Sequence, residues 1–399
     1  MRPALWLGTG LAVLACSGDR ERPQLLEDPK PEVEEDAGPR LDLPQAEAGC
    51  PVPEEVAQLC GSEVIPVSTE PLNLYFLLDR SGSMSETLDG SLLTRYQAAT
   101  QAILEVLRTV GHRTHYGLAI APDPRAAAAT CDPGREVLAV TQGDPACFGK
   151  AGERGPVLTS LATSLAGLGP EGATPLGATL QSLVETLPEL EGETVLILAT
   201  DGAPNCNADV ACDADACIPN IEGFAFDDED GPIACDEAFN CCDPQLTVPG
   251  AGLNCVDSAR TETVLGDLLE AGVRTYVVGL PGSEPYRDVL SGFAEAGGAG
   301  RAGDTRYYAV SDSEELGEVL LDIGLAVTTD CELPLELVPP DRDLVNVYFD
   351  ANAVPFDEEN GWRWLDDGTI SLEGEACDEL ESGNVFGVEV LAGCPSVVR

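Results

Sequence analysis

The sequence predicts an α/β protein: a doubly wound, mostly parallel sheet, interrupted by one irregular cysteine-rich insertion and followed by a small β unit. Three observations carry this. Short, nearly continuous apolar runs alternate with stretches in which apolar residues recur at helical spacing, the pattern of strands buried on both faces between amphipathic helices. The alternation breaks once, across residues 203–256, where seven of the 15 cysteines fall. After residue 328 the apolar period changes to that of strands.

At the N-terminus, Arg2 precedes an apolar run over residues 4–15 that is too short to span a bilayer and suits the core of a signal peptide. The run ends Val13-Leu14-Ala15-Cys16, which resembles the lipobox of bacterial lipoproteins, with Leu14 bulkier than the small residue usual there. Cleavage after residue 15 with lipidation of Cys16 leaves 14 cysteines, an even number; simple cleavage leaves Cys16 as a plain thiol. Ser17 after that cysteine, by analogy with lipoprotein sorting, directs the protein to the outer membrane and the cell surface. Residues 16–49 are rich in Glu, Asp, Pro and Ala, with Pro23, Pro29, Pro31, Pro39 and Pro44 along them, and read as an extended tether.

Residues 50–328 form the α/β domain in this reading, and its elements follow in order. Residues 73–78 (NLYFLL) are a strand buried on both faces. A helix over 95–111 is marked by Ala98, Ala102, Ile103, Val106 and Val110. Strands at 115–121 and 136–141, the second a candidate edge strand, precede helices at 157–168 and 176–187. Residues 194–199 (TVLILA) are another buried strand. Beyond the insertion come helix 259–271, strand 273–279, helix 286–296, strand 305–310 and helix 313–326. In residues 329–399, strands are expected at 344–349, 361–365, 369–372 and 384–391, with Asp367-Gly368 as a hairpin turn and Trp362 and Trp364 in the core.

Composition limits the function. Seventy acidic against 21 basic residues give a net charge of −49, which excludes nucleic acid and anionic membrane surfaces as partners, leaving a lipid anchor as the membrane contact. Lys30 and Lys150 are the only lysines, so no basic patch exists. His112 and His115 are the only histidines, which leaves little room for histidine catalysis. The cysteine count points to an oxidising compartment.

In doubly wound sheets, ligands sit at the carboxyl ends of the strands. There the first strand runs into Asp79-Arg80-Ser81-Gly82-Ser83, a loop carries Gly172-Ala173-Thr174-Pro175-Leu176, and a later strand runs into Thr200-Asp201-Gly202. Asp79, Ser81, Ser83, Thr174 and Asp201 are all hard oxygen donors, which suit Mg²⁺, Mn²⁺ or Ca²⁺ and not zinc or copper.

Asp-x-Ser-x-Ser, then Thr in a Gly-x-Thr-Pro-Leu turn, then Thr-Asp-Gly, in this order, resembles the von Willebrand factor A domain across residues 70–328. The resemblance implies a metal-ion-dependent adhesion site made of Asp79, Ser81, Ser83, Thr174 and Asp201. It implies that the serines and, in the ligand-binding state, the threonine contact the ion while the aspartates act through water. It further implies that a partner's carboxylate completes the coordination. A Ser81 or Ser83 nucleophile lacks both a Gly-x-Ser-x-Gly motif and a base, so no enzyme is expected.

The insertion holds Cys206, Cys212, Cys217, Cys235, Cys241, Cys242 and Cys255 among about a dozen acids. Disulfides are one way to staple it. Bound Ca²⁺ is another: Asp228, Asp230, Gly231, Ile233 and Glu237 match an EF-hand loop, but Phe226 stands where its first carboxylate belongs. With Cys16 set aside, seven cysteines lie inside the insertion and seven outside, so complete pairing requires at least one bridge to cross. Cys50–Cys60 and Cys131–Cys147 are expected as local pairs, and Cys331, Cys377 or Cys394 as the crossing partner. The expected function is recognition of a protein or glycan carboxylate through a divalent cation at the cell surface. The alternative is a structural envelope protein whose ion serves stability.

Overall fold

A computed structural model describes residues 59–398, apart from 61–62, 68–70, 89, 127–130, 208, 229–230 and 246–250. The signal peptide, Cys16, the tether and Cys50 lie outside the described residues. A short strand β1 (Glu63–Val64) precedes the α/β domain. The domain begins with β2 (Leu72–Asp79), α1 (Arg95–Val110), β3 (His115–Ala121) and β4 (Arg135–Gln142). It continues through α2 (Ala146–Lys150), α3 (Pro156–Ala166), α4 (Leu176–Leu183) and β5 (Glu193–Thr200). The insertion contributes α5 (Ile218–Glu222) and the hairpin β6 (Ala225–Asp228) with β7 (Gly231–Ala234). Then follow α6 (Ser258–Glu270), β8 (Arg274–Gly279), α7 (Arg287–Ala296), β9 (Tyr308–Ala309) and α8 (Ser313–Thr328).

The central sheet has the order β4-β3-β2-β5-β8-β9, antiparallel only between β3 and β4. The expected fold class is the one observed. β2 reads as a continuous apolar run because both of its faces are covered. Leu74, Phe76 and Leu78 pack with Ile103 and Val106 of α1 and Leu320 of α8. Tyr75 and Leu77, pointing the other way, pack with Leu180 of α4, Leu265 of α6 and Leu290 of α7. A capping box starts α1, in which Thr94 Oγ1 accepts from Gln97 N while the Gln97 side chain accepts from Thr94 N. The 305–310 strand shrinks to two residues, because only Tyr308 and Ala309 pair with β8.

The C-terminal unit contains β10 (Glu332–Pro334), β11 (Val345–Phe349), β12 (Asn352–Val354), β13 (Trp362–Trp364), β14 (Thr369–Leu372), α9 (Glu375–Glu381) and β15 (Val388–Ala392). Two antiparallel sheets, β1-β15-β11-β12 and β10-β14-β13, enclose Val347, Phe349, Ile370, Val390 and the fully buried Trp362. The Trp362 indole N–H donates to Val354 O at 3.1 Å. Residues 63–67 thus pair with this unit, through β15 and a Val67–Leu335 bridge, although the sequence assigned them to the α/β domain.

Two expected disulfides are corrected. Cys60 bonds Cys394, because β1 lies against β15. Cys131 bonds Cys206 and is the crossing bridge, because the antiparallel β4 brings its leading loop back to the carboxyl ends of the sheet. Cys331 pairs with Cys377, so the C-terminal cysteines do not cross to the insertion. Cys212–Cys255, Cys217–Cys242 and Cys235–Cys241 staple the insertion internally. Bridges of this number belong to an oxidising compartment and mark an exported protein. No helix among the described residues is long and apolar enough to cross a membrane.

Candidate metal centre

The strand ends deliver the site. β2 ends in Asp79 and β5 leads into Asp201, two neighbouring parallel strands whose carboxylates are both buried. Asp79 Oδ1 accepts from Ser81 N at 2.8 Å, which folds the loop back over the strand. Its Oδ2 accepts from Thr200 Oγ1 at 2.6 Å. The hydroxyls of Ser81 and Ser83 stand 3.2 Å apart, and Ser83 Oγ donates to Asp201 Oδ1 at 2.9 Å. Gly82 N donates to Gly172 O at 2.9 Å, so this loop is tied to the one bearing Thr174. Four of the five motif residues are therefore joined through one hydrogen-bond network, with Asp79 entering it at the Ser81 backbone N. Thr174 faces the same cleft.

Residues outside the motif hold these loops. Arg80 is buried; its guanidinium donates to Gly169 O and, at 3.0 Å, to Pro122 O, pinning loops from three parts of the chain. Asn205 clamps Thr174 from both sides: Thr174 N donates to Asn205 Oδ1 at 2.7 Å, and Asn205 N donates to Thr174 O at 3.0 Å. The next residue, Cys206, carries the bridge to Cys131. Arg95, at the start of α1, pairs with Asp201 Oδ2 at 2.7 Å and with Glu86 Oε2 at 2.6 Å. Sequence reasoning missed Arg80, Arg95, Thr200 and Asn205. Only Thr200, inside Thr-Asp-Gly, had a sequence signal.

The electrostatics ask for a cation. Burial first, and then the charge of Asp201, pushes the Asp79 carboxyl up to about 7. Asp201 is also raised by burial, against the pull of Arg95 and the Ser83 hydrogen bond. Of the two buried carboxylates only Asp201 pairs with a guanidinium, that of Arg95, which Glu86 also engages; negative charge is left uncompensated, and neighbouring hydroxyls add neutral oxygen donors. A hard divalent ion fits this donor set: Ser81, Ser83 and Thr174 would offer hydroxyls, and Asp79 and Asp201 the charge. Such an ion supplies an electron-poor centre for an incoming anionic oxygen.

The site opens into a cleft of about 460 Å³. Ser81, Ser83 and Thr174 line it, together with Asn205, Ile218, Pro219, Glu222 and Phe224 of the insertion. Of the second expected ion site, Asp228 ends β6 opposite Gly231, Glu237 lies exposed in the turn after β7, and Asp230 is outside the described residues. His112 and His115 sit at the other end of the sheet: His115 pairs with Asn73 at the start of β2, six residues from Asp79, or about 20 Å along a strand.

No protein-family model and no curated protein matches the chain. Solved structures similar to it include a variant of the PilB minor pilin from Streptococcus sanguinis, with a TM-score of 0.41 and 16% identity over 65% of this chain. Another is the pilus adhesin SpaC from Lactobacillus rhamnosus GG, at 0.43 and 12% over 82%. A third is the von Willebrand factor domain of the pilus tip protein Mfa5 from Porphyromonas gingivalis, at 0.38 and 10% over 66% of this chain and 98% of that one. The chain spans 62% of the length of the minor pilin and 39% of that of the adhesin. Matches of this size leave the functional reading to the side chains themselves.

Proposed function

We propose that this protein is a non-enzymatic cell-surface adhesion lipoprotein that recognises a carboxylate of a protein or glycan partner through a divalent cation. The ion, Mg²⁺ or one of its relatives Mn²⁺ and Ca²⁺, is held by Asp79, Ser81, Ser83, Thr174 and Asp201. The observation that carries this reading is the linked network of two buried carboxylates and paired serine hydroxyls at the mouth of an open cleft. Neutral donors dominate the set, so the ion keeps its appetite for an anionic ligand. A protein surface with a net charge of −49 repels carboxylates everywhere else, which makes the cation the point of attachment.

The test is retention of envelope or surface partners by the immobilised protein in Mg²⁺ and in EDTA. Retention should vanish in EDTA and fall sharply for Thr174→Val, which keeps volume and loses one hydroxyl. Partners that stay bound in EDTA would favour the alternative, a structural envelope protein whose ion stabilises the fold.

A further inference from the structure

The motif residues explain one side of the cleft and leave the insertion's side without a purpose. Helix α5 is fastened at its start by Cys217–Cys242, and Cys212–Cys255 binds the surrounding loop. Gly223 follows the helix in the left-handed region, with φ 70°, and turns the chain outward. Phe224 N donates to Pro219 O and Phe224 O accepts from Cys235 N, each at 2.9 Å. Cys235 is itself bridged to Cys241. The outcome is a phenyl ring, 54% exposed, set on a cross-linked backbone along the cleft wall. Ile218 and Pro219 extend the apolar surface beside it. Rigid, exposed aromatic groups next to a polar anchoring point are what binding surfaces use, because little ordering entropy is lost when a partner covers them.

We infer that the partner presents a protein segment in which an acidic side chain has an apolar side chain as its close neighbour. This rests on the cation-bridging reading above. The carboxylate reaches the cation at Ser81, Ser83 and Thr174, and the apolar neighbour covers Phe224, Ile218 and Pro219. Two features favour a protein segment over a glycan. Ile218, Pro219 and Phe224 form an apolar patch with no side-chain donor or acceptor for sugar hydroxyls, and the polar groups that the insertion brings to the cleft, Asn205, Glu222 and Asn254, are single residues. Glu86 and Glu222 also line the cleft, so a ligand with further negative groups, such as a polyuronate or a sulfated chain, is repelled. A cleft of about 460 Å³ is of the size that takes a few side chains.

Panning a phage-displayed random peptide library on the full chain, in Mg²⁺ and in EDTA, tests this. Peptides enriched in Mg²⁺ and released by EDTA should carry Asp or Glu with Leu, Ile, Val or Phe within two positions. A synthetic peptide of the enriched sequence should bind Phe224→Ser about tenfold more weakly. Mg²⁺ affinity measured by calorimetry, and circular dichroism, should match the parent, since the ring is exposed and does not touch the ion site. Enrichment of acidic peptides with no apolar neighbour, or equal peptide binding by Phe224→Ser, would overturn the inference while leaving the cation reading intact. Enrichment that persists in EDTA would overturn the cation reading itself. No enriched peptide at all, or Mg²⁺-dependent binding of polygalacturonate in place of peptides, would overturn the protein-segment ligand.

Discussion

Arg95 sits beside Asp201 although it lies outside the three motif stretches. Its guanidinium is divided between Asp201 and Glu86, and Gly282 leaves it room: a Cβ there would come within 2.5 Å of Nη2. Arg95 thus acts as a resident counter-charge for a carboxylate with a fully buried side chain. Removing one partner of a buried pair costs about 3–5 kcal/mol. Arg95→Gln should therefore lower the unfolding temperature in EDTA. It should also tighten Mg²⁺ binding, because the ion becomes the main charge neutralising Asp201. Calorimetry with thermal unfolding in both conditions reads this, and weaker Mg²⁺ binding would show that Arg95 instead scaffolds the site. A second residue governs acid sensitivity. His112 is held down to about 4, first by burial and then by the Arg113 guanidinium, with Asp350 pulling the other way; the Phe386 ring lies 5.4 Å from its own. The unfolded chain takes up this proton near pH 6.5 and the folded one only near pH 4, so stability is full above 6.5 and is lost as pH falls through that window. At pH 5 the loss is about 2 kcal/mol. His112→Gln should reduce the difference in unfolding free energy between pH 7.5 and pH 5 by that amount, and denaturant titration of both proteins at both pH values checks it. An unchanged difference would contradict the burial argument. The five motif residues were legible because they lie in three short contiguous stretches. Arg95 and Asn205 were not, since each acts on a residue about 106 or 31 positions away and leaves no local pattern.

Among the elements, the long ones were legible and several of the short ones were not, although β13 and β14, marked by Trp362, Trp364 and the Asp367-Gly368 turn, were. β2 and β5 declare themselves because both faces are covered, and α1 because one stripe is. β10 and β12, three residues each, and the short helices α2 and α9 are too brief to establish a period. Disulfide pairing is hidden for a different reason: proximity along the chain is not proximity in space. Cys131 and Cys206 are 75 residues apart, yet β4 returns the one to the loop that β5 gives the other. This bridge anchors the residue after Asn205, and Asn205 clamps Thr174. The double variant Cys131→Ser, Cys206→Ser should lose about 2–4 kcal/mol of stability. It should also lose more affinity for a carboxylate partner than for Mg²⁺, because the Thr174 loop loosens while Asp79, Ser81 and Ser83 keep their bonds. Equal losses in both affinities would show that Asn205 does not work through the bridge.

At the scale of the whole molecule, the chain closes on itself. β1 pairs with β15, Cys60 bonds Cys394, and Arg113 of the α/β domain donates to Val385 O and to Thr329 Oγ1, the latter at 3.0 Å. The segment that follows the tether in sequence therefore enters the fold through the C-terminal unit. If Cys16 is the anchor, intact-mass measurement of membrane-extracted protein should show an acylated chain beginning at Cys16, and an unmodified Cys16 in a freely soluble product would remove the tether from the account. The proposed recognition at the cleft depends on the ion. Titration of metal-free protein with Mg²⁺ by calorimetry should show one binding event at Asp79, Ser81, Ser83, Thr174 and Asp201. In Asp79→Ala it should weaken about 10–100-fold, with the circular dichroism spectrum unchanged because the site lies at the rim of the sheet. Absence of Mg²⁺ binding by the parent, or equal binding by Asp79→Ala, would contradict it.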